Sequence, residues 1–476
     1  MHICTIIYDI IWFMENIVSK KYHFIAIGGV GMSGLAKYLL QQGFEVSGSD
    51  ISDSKYVKQL RELGGQISIG HSAENVPDGA IVVVSSAIRE TNPELIKAKE
   101  LGLKIYHRSD LLKEISESDK CFIGFSGTHG KTTTSGLCSY LLAKSGNKPS
   151  FVVGGIIPEY NTNAEYNEDG RNFIAELDES DGTIVKYRPN IVVVNNLEAD
   201  HLDHYKNGLK DVLYTFDELF LSELDKDTKI LVNIDDNGAK QLKGVNGYIT
   251  YGIDNNADYM AKNIDYNFGY TTFDVYSKGE FLTSAKIILP GKHNVYNALA
   301  VLSALSVDGY DIKEIAPFSE TFTGMGRRFQ KVEEFDGITV YDDYAHHPTE
   351  IKSTLSAMKS FTNKQVVAVF QPHRYTRLQS LWNEFIDALH NVLSDNDRII
   401  VTDVYAASED EIVGVNSEKF TKELGNAEYL SGDISDVARK LLPTLKENTI
   451  VIGLGAGTIT NLGKELKTAR EEIACK

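Results

Sequence analysis

The sequence predicts an α/β protein with mostly parallel sheets, and three observations carry that prediction. Continuous apolar runs recur, among them A-I-V-V-V-S-S at 80–86, N-I-V-V-V-N-N at 190–196 and T-I-V-I-G-L near the C-terminus; such runs read as strands covered on both faces. Glycine-rich loops followed by helix-period segments come after two of the apolar runs, the layout of strand–loop–helix units. A length of 476 residues corresponds to about three domains of ordinary size.

Composition narrows the partners. Hydrophobic content of 42% and charged content of 24% are those of a globular chain. A net charge of −18 with no basic block argues against a nucleic-acid partner. Small anions are still compatible, because backbone N–H groups and single arginines can hold a phosphate inside an acidic protein. Cys4, Cys121, Cys138 and Cys475 have neither zinc nor redox spacing, which suits free thiols in a reducing cytoplasm.

Residues 1–20 read as an N-terminal extension. Met1 to Val18 is apolar but carries Asp9 and Glu15, so its uninterrupted part is too short to span a bilayer. It also lacks the basic start and small-residue cleavage site of a signal peptide, so no membrane insertion is expected. Met14 is the expected native start.

The first domain is expected over 21–118. Tyr22 to Ile27 is a strand candidate, and Gly29, Gly31 and Gly34 after it fit G-x-G-x-x-G. Ser49 and Asp50 end a second strand about 20 residues on. Alone this is a dinucleotide fingerprint, and an NAD-dependent dehydrogenase fits it as well as a UDP-sugar binder does. Ala80 to Ser86, a helix near Pro93 to Leu101 and Lys104 to Tyr106 continue the series.

The second domain is expected over 119–323. The strand Cys121 to Phe125 runs into Gly127, Thr128, His129, Gly130, Lys131, Thr132 and Thr133, then a helical pattern. Glycines let N–H groups close round phosphate oxygens, the helix N-terminus adds partial positive charge, and the lysine neutralises what remains. The general pattern wants glycine five residues before Gly130, where Phe125 stands, so a plain Gly-Ser turn is the competing reading. Further strands are expected near 151, 171 and 190. Glu176, Asp178, Glu179 and Asp181 follow one of them, and E-A-D-H-L-D-H-Y follows another, on the sheet edge that faces Lys131. Most of these acids read as solvated loop residues or helix caps; Glu176 and His201 stand out as ligands for magnesium, beside the Thr132 hydroxyl. Residues 247–290 alternate polar and apolar, as an antiparallel meander would. Asn294 and Asn297, three apart, share a helical face and offer the donor and acceptor an adenine edge requires; helix capping by Asn294 explains the first equally well.

The third domain is expected over 324–476, entered by a hinge at G-M-G-R-R-F. A hairpin turning at Asp336-Gly337 leads to Y-D-D-Y-A-H-H-P, and a later strand ends at His373, Arg374 and Arg377. His347 before Pro348 also reads as a simple helix entry.

The motifs I-G-G-V-G-M-S-G, S-G-S-D, G-T-H-G-K-T-T-T, E-x-D-E-S-D, E-A-D-H-x-D, P-G-K-H-N-x-x-N, G-R-R-F, D-D-Y-A-H-H-P and Q-P-H-R-Y-T-R stand in this order from about residue 22 onward. Together they resemble the Mur ligase family. The resemblance implies a Rossmann-like UDP-sugar domain, a central P-loop ATPase domain and a Rossmann-like C-terminal domain. The dehydrogenase reading recedes, since an ATP site has no part in hydride transfer. The implied activity joins L-alanine to the lactyl carboxylate of UDP-N-acetylmuramate through an acyl phosphate, with ATP as co-substrate and Mg2+, in cell-wall precursor synthesis by a cytoplasmic monomer or homodimer. A sister ligase that attaches a tripeptide to the same sugar nucleotide is the alternative. A non-catalytic nucleotide switch is a further reading.

By resemblance, Gly29, Gly31, Gly34, Ser49 and Asp50 meet the UDP-sugar. Residues 127–133 with Asn294, Asn297, Arg328 and Asp343 meet ATP, and Thr132, Glu176 and His201 hold metal. His346, His347, His373, Arg374 and Arg377 serve the amino-acid site, and Lys131, Glu176, His201 and His346 are the implied catalytic set. Two departures are visible: the segment L-Y-T-F-D-E-L-F lacks the lysine that many members carry there, and the C-terminal loop reads G-A-G-T-I-T, at Thr458, where an acidic residue is common. N-terminal sequencing of the native protein is expected to begin at Met14; recovery of Met1 would end that idea.

Overall fold

The computed structural model describes residues 20–474 except Asp119, Asp203, Phe268, Asp395 and Ser408. Residues 1–19 of the expected extension, Cys4 among them, and Cys475 lie outside the described residues. Three sheets organise the chain. By packing it divides into two compact units. The first takes in the chain up to Met260 with Ser277–Glu280 and Leu299–Ile315; the second is Ala261–Tyr276, Phe281–Ala298 and Ala316–Lys476.

Five parallel strands open the first unit: β1 (Lys21–Ile25), β2 (Glu45–Asp50), β3 (Gln66–Ile69), β4 (Ile81–Val84) and β5 (Ile105–His107), in the order β3-β2-β1-β4-β5. The order reverses at β1, so the loop after β1 faces a crevice at the carboxyl edge. Below that edge lies a buried polar knot. Glu94 and His23 are both fully buried; the Glu94 carboxylate accepts from His23 Nε2 at 3.1 Å, Ser49 Oγ at 2.7 Å, Asn75 Nδ2 at 2.8 Å and the Ser72 N–H at 3.1 Å. A buried charge survives only when it is saturated in this way.

The same unit continues with β6 (Cys121–Ser126), β7 (Ser150–Ile157), β8 (Thr162–Glu165), β9 (Asn172–Glu176), β10 (Ile191–Val194), β11 (Lys229–Asn233) and β12 (Ile249–Gly252). β6 lies between β10 and β9 and pairs with both in parallel, which explains why Phe122, Ile123 and Phe125 are all buried. The helix Val30–Gln41 packs on β7 and β8, and Gly34 permits the approach: a Cβ there would stand 3.2 Å from both Val152 Cγ1 and Asn163 Nδ2.

The expected antiparallel meander holds only in part. β12 pairs in parallel with β11 and with the start of β13 (Tyr259–Asn267). The Asp235 carboxylate accepts the N–H groups of Ile253, Asp254 and Asn255 and bends the chain after β12, so it recrosses instead of forming a hairpin. In the second unit β13 is followed by β14 (Tyr270–Ser277) and β15 (Glu280–Ile287) in the order β15-β14-β13.

The last sheet, in the second unit, contains β16 (Gln330–Phe335), β17 (Ile338–Asp343), β18 (Gln365–Phe370), β19 (Arg398–Thr402), β20 (Ala427–Leu430) and β21 (Thr449–Leu454), ordered β16-β17-β21-β18-β19-β20. β16 is antiparallel to β17, and their turn residues Asp336 and Gly337 have φ of 46° and 74°, the two left-handed positions of a tight hairpin. No helix among the described residues is long and apolar enough to cross a membrane.

Burial opposes the charge on Glu94, yet its hydrogen bonds from His23, Ser49, Asn75 and Ser72 outweigh burial and bring it down to about 2 from an ordinary 4.5. Its contribution to stability is therefore complete above pH 4.5 and disappears as the pH falls toward 2. Glu94→Ala should cost roughly 3 kcal/mol at neutral pH. Chemical denaturation should show that difference shrinking below pH 4.5.

Candidate active site

The loop between β6 and the helix Lys131–Lys144 is built on glycines in the left-handed region, Gly127 at φ 123° and Gly130 at φ 84°. A Cβ at Gly127 would stand 2.7 Å from the Asn196 carbonyl oxygen, so glycine is required there on both counts. The end of β10 holds the loop in shape. Thr128 N–H donates to Asn196 O at 3.0 Å, His129 N–H donates to Asn196 Oδ1 at 2.7 Å, and Asn196 Nδ2 donates to His129 O at 3.0 Å. Thr128 Oγ1 accepts the Glu198 N–H at 2.9 Å.

Lys131 opens the helix and turns back under the loop. Its Nζ donates to Gly127 O at 2.6 Å, Thr128 O at 3.2 Å and both oxygens of Glu179, at 3.1 and 2.9 Å. Burial works against the ammonium, but Glu179 and Asp178 outweigh it and hold Lys131 above its ordinary range. Asp178 lies well below the carboxylate range: burial opposes its charge, and Lys131 and Arg108 overcome the opposition. At Glu179 the expectation of a solvated loop acid is corrected, since its side chain is only 2% exposed. Glu179 stands three residues after Glu176, and the sequence alone does not set it apart from the acids beside it.

Glu176 ends β9, and the Thr132 hydroxyl donates to its Oε2 at 2.8 Å. Gly154 leaves it room, as a Cβ at that position would fall 2.2 Å from Glu176 Oε1. His201 follows on the loop after β10 with φ 52°, a conformation uncommon for any residue with a side chain, and its Nε2 lies 3.6 Å from Asp200 Oδ2. The lysine-free segment expected at L-Y-T-F-D-E-L-F forms a π-helical turn, Thr215–Phe220, with Phe216 and Phe220 buried.

In the first sheet, Gly29 precedes the helix Val30–Gln41, and Gly31 and Gly34 lie inside it. Asp50 braces this loop, accepting the Gly28 N–H at 2.9 Å and the Ser52 N–H at 3.0 Å. Ser49 is fully buried; its hydroxyl donates to Glu94 and pairs with His71 Nδ1 at 2.8 Å, so it orients neighbours rather than facing the crevice.

In the second unit the Asn pair is joined directly, Asn297 Nδ2 donating to Asn294 Oδ1 at 3.1 Å, while Asn294 Nδ2 donates to Pro290 O at 2.8 Å. Arg328 Nη1 donates to Glu350 Oε1 at 3.2 Å, and its guanidinium lies over the Tyr344 ring. Asp343 is buried, and its carboxylate accepts the Phe329 and Ala345 N–H groups at 2.6 and 2.8 Å. Burial pushes it up to about 6. It therefore knits G-R-R-F to Y-A-H-H.

His346, His373 and Arg377 gather together: the two rings meet edge to face at 5.8 Å, and Arg377 Nη1 lies 3.5 Å from His373 Nδ1. Burial pushes His346 down to about 4 and His373 to about 3, with Arg377 adding to both. His346 Nδ1 donates to Tyr344 O at 2.9 Å, which leaves Nε2 an acceptor. A neutral Nε2 acceptor of this kind can orient an ammonium. Arg374 turns to Glu409, 2.6 Å from Nε to Oε1. His347 caps the helix Pro348–Phe361 as the simpler reading expected, its Nδ1 accepting the Thr349 N–H.

Lys131→Ala should lower turnover by roughly a thousandfold and destabilise the fold by about 3 kcal/mol through the unpaired Glu179. The double variant with Glu179→Gln should recover most of the stability in a denaturation curve and none of the activity.

Comparison with known proteins agrees with this geometry. Residues 21–120 match the model described as Mur ligase family, catalytic domain; 125–305 match the Mur ligase middle domain; and 327–457 match the Mur ligase, glutamate ligase domain. A UDP-N-acetylmuramate–L-alanine ligase of Geotalea daltonii is 40% identical over 453 residues, covering 94% of this chain and 97% of the relative. The crystal structure of a UDP-N-acetylmuramate–alanine ligase from Thermotoga maritima superposes with a TM-score of 0.78 at 29% identity, covering 96% of this chain and 100% of that one. A murein peptide ligase from Psychrobacter arcticus shares the fold, with a TM-score of 0.69 at 23% identity over 95% of this chain and 98% of that one. The chain belongs to the Mur ligase family.

Proposed function

We propose that the protein joins L-alanine to the lactyl carboxylate of UDP-N-acetylmuramate at the expense of ATP, in peptidoglycan precursor synthesis. The observation that carries this reading is the arrangement at the end of β6: a glycine loop, a lysine ammonium paired with buried Glu179, and the Thr132–Glu176 pair. Relatives named for this activity are 40% identical over nearly the whole chain, which supports alanine as the amino substrate.

A carboxylate does not react with an amine directly, because its oxygen is a poor leaving group. The lactyl carboxylate oxygen attacks the γ-phosphorus of ATP and ADP leaves; the alanine amine then attacks the acyl carbon and loses a proton. Phosphate departs with one of the carboxylate's oxygens. Lys131 holds positive charge beside the loop, where phosphate oxygens gain charge in the first step. Thr132 and Glu176 fit Mg2+, because a hydroxyl and a carboxylate 2.8 Å apart form the oxygen donor set a hard cation takes, and we assign His201 as a third ligand. The ion would supply charge neutralisation. Asn294 and Asn297 are assigned to adenine, and Arg328 and Asp343 to the nucleotide. Arg377 is assigned to the alanine carboxylate and neutral His346 to its ammonium as acceptor.

Substrate carrying labelled oxygen in the lactyl carboxylate should release labelled inorganic phosphate with L-alanine present. Unlabelled phosphate would overturn the acyl-phosphate route, and phosphate release with tripeptide but not alanine would transfer the assignment to the sister ligase. Arg377→Ala should raise the KM for alanine by roughly tenfold or more and that for ATP far less.

A further inference from the structure

Within the first unit, between the first sheet and the strands around β6, lies a charged seam. Arg108 begins the helix Arg108–Ser116 at the end of β5 and reaches in two directions. Its Nη2 donates to Asp178 Oδ2 at 2.5 Å. Its Nη1 stands 3.6 Å from where a Cβ on Gly31 would be, beside the glycine loop. Among the described residues Nη1 has no hydrogen-bond partner, and the side chain keeps 30% of its exposure. Lys186 Nζ, donating to Asp110 Oδ1 at 2.6 Å, and Ser86 Oγ, donating to Asp181 Oδ2 at 3.1 Å, fix the same seam on either side.

Asp178 lies between Glu176, which meets Thr132, and Glu179, which holds Lys131. A rigid, planar cation thus has one end on the acidic segment of the nucleotide site and the other at the glycine loop of the first sheet. Resting on the assignment of that loop to the sugar nucleotide, we propose that Arg108 is a further positioning residue. Its Nη1 end binds the diphosphate of the UDP-sugar, and its Nη2 end keeps the Asp178–Glu179 segment in register with Lys131. The diphosphate completes the fork: a guanidinium accepts two anions on separate edges, whereas an ammonium offers no such fixed pair of edges. Occupation of the sugar-nucleotide site then steadies the segment that holds Lys131, and the two substrates bind more tightly together than apart.

The test uses the full chain and titrates uridine, UMP, UDP and UDP-N-acetylmuramate, each with and without a saturating non-hydrolysable ATP analogue. In the wild type, affinity should rise from UMP to UDP, and the analogue should tighten UDP-N-acetylmuramate. Arg108→Ala should weaken UDP by roughly tenfold or more, bring it level with UMP, leave uridine within twofold, and remove the effect of the analogue. Arg108→Lys should recover part of the UDP affinity but not the coupling. Asp178→Asn should keep the preference for UDP and lose the coupling. Equal weakening of all four ligands, or UDP affinity within twofold of wild type in Arg108→Ala, overturns the proposal. If Arg108→Ala does not fold, the lysine variant decides: unchanged coupling there overturns it as well. Failure of the wild type to bind UDP-N-acetylmuramate would instead reject the underlying functional reading.

Discussion

An ammonium withdrawn from water needs its counter-charge beside it, and at Lys131 that counter-charge is Glu179, itself almost wholly buried. The pair dictates much of what surrounds it. It fixes where the helix Lys131–Lys144 begins and keeps the acidic segment after β9 on the same edge as the loop after β6. It also explains why the loop needs so much support from Asn196, because two of its carbonyls turn inward onto the lysine and their N–H partners must be held elsewhere. The remaining chemistry, Thr132 against Glu176 and the braced His201 loop, is arranged around this centre.

The second unit follows a different rule. There the polar motifs are drawn together by buried carboxylates that accept backbone N–H groups: Asp343 ties Phe329 to Ala345, and Glu350 accepts from the His346 N–H while receiving Arg328. His346 and His373, both held below the ordinary imidazole range by burial, then meet edge to face beside the Arg377 guanidinium, with Glu350 next to His346.

The strands were legible in the sequence because parallel strands buried on both faces leave uninterrupted apolar runs, and the runs at 121–125 and 190–196 were of that kind. Lys131, Thr132 and Glu176 were legible because glycine spacing and strand ends place them on one edge. What escaped was set by tertiary contact. Nothing in E-L-D-E-S-D distinguishes a solvated acid from Glu179 until Lys131 turns back under the loop. Ser49 next to Asp50 resembled a ligand pair, whereas the knot around Glu94 draws its hydroxyl inward. The parallel recrossing after β12 depends on Asp235 gripping three successive N–H groups, a loop interaction that polar–apolar alternation does not record.

The cysteines carry a practical consequence. Cys121 donates its S–H to Asp308, and burial with that carboxylate beside it pushes the thiol up to about 12; Cys138 is buried and raised well above its ordinary value. Neither offers a thiolate at neutral pH, although both flank the strand and helix that hold the loop. Alkylating reagents and mild oxidants would therefore pass over both of them, and an electrophilic inhibitor aimed at this centre would need an amine or a carboxylate as its anchor.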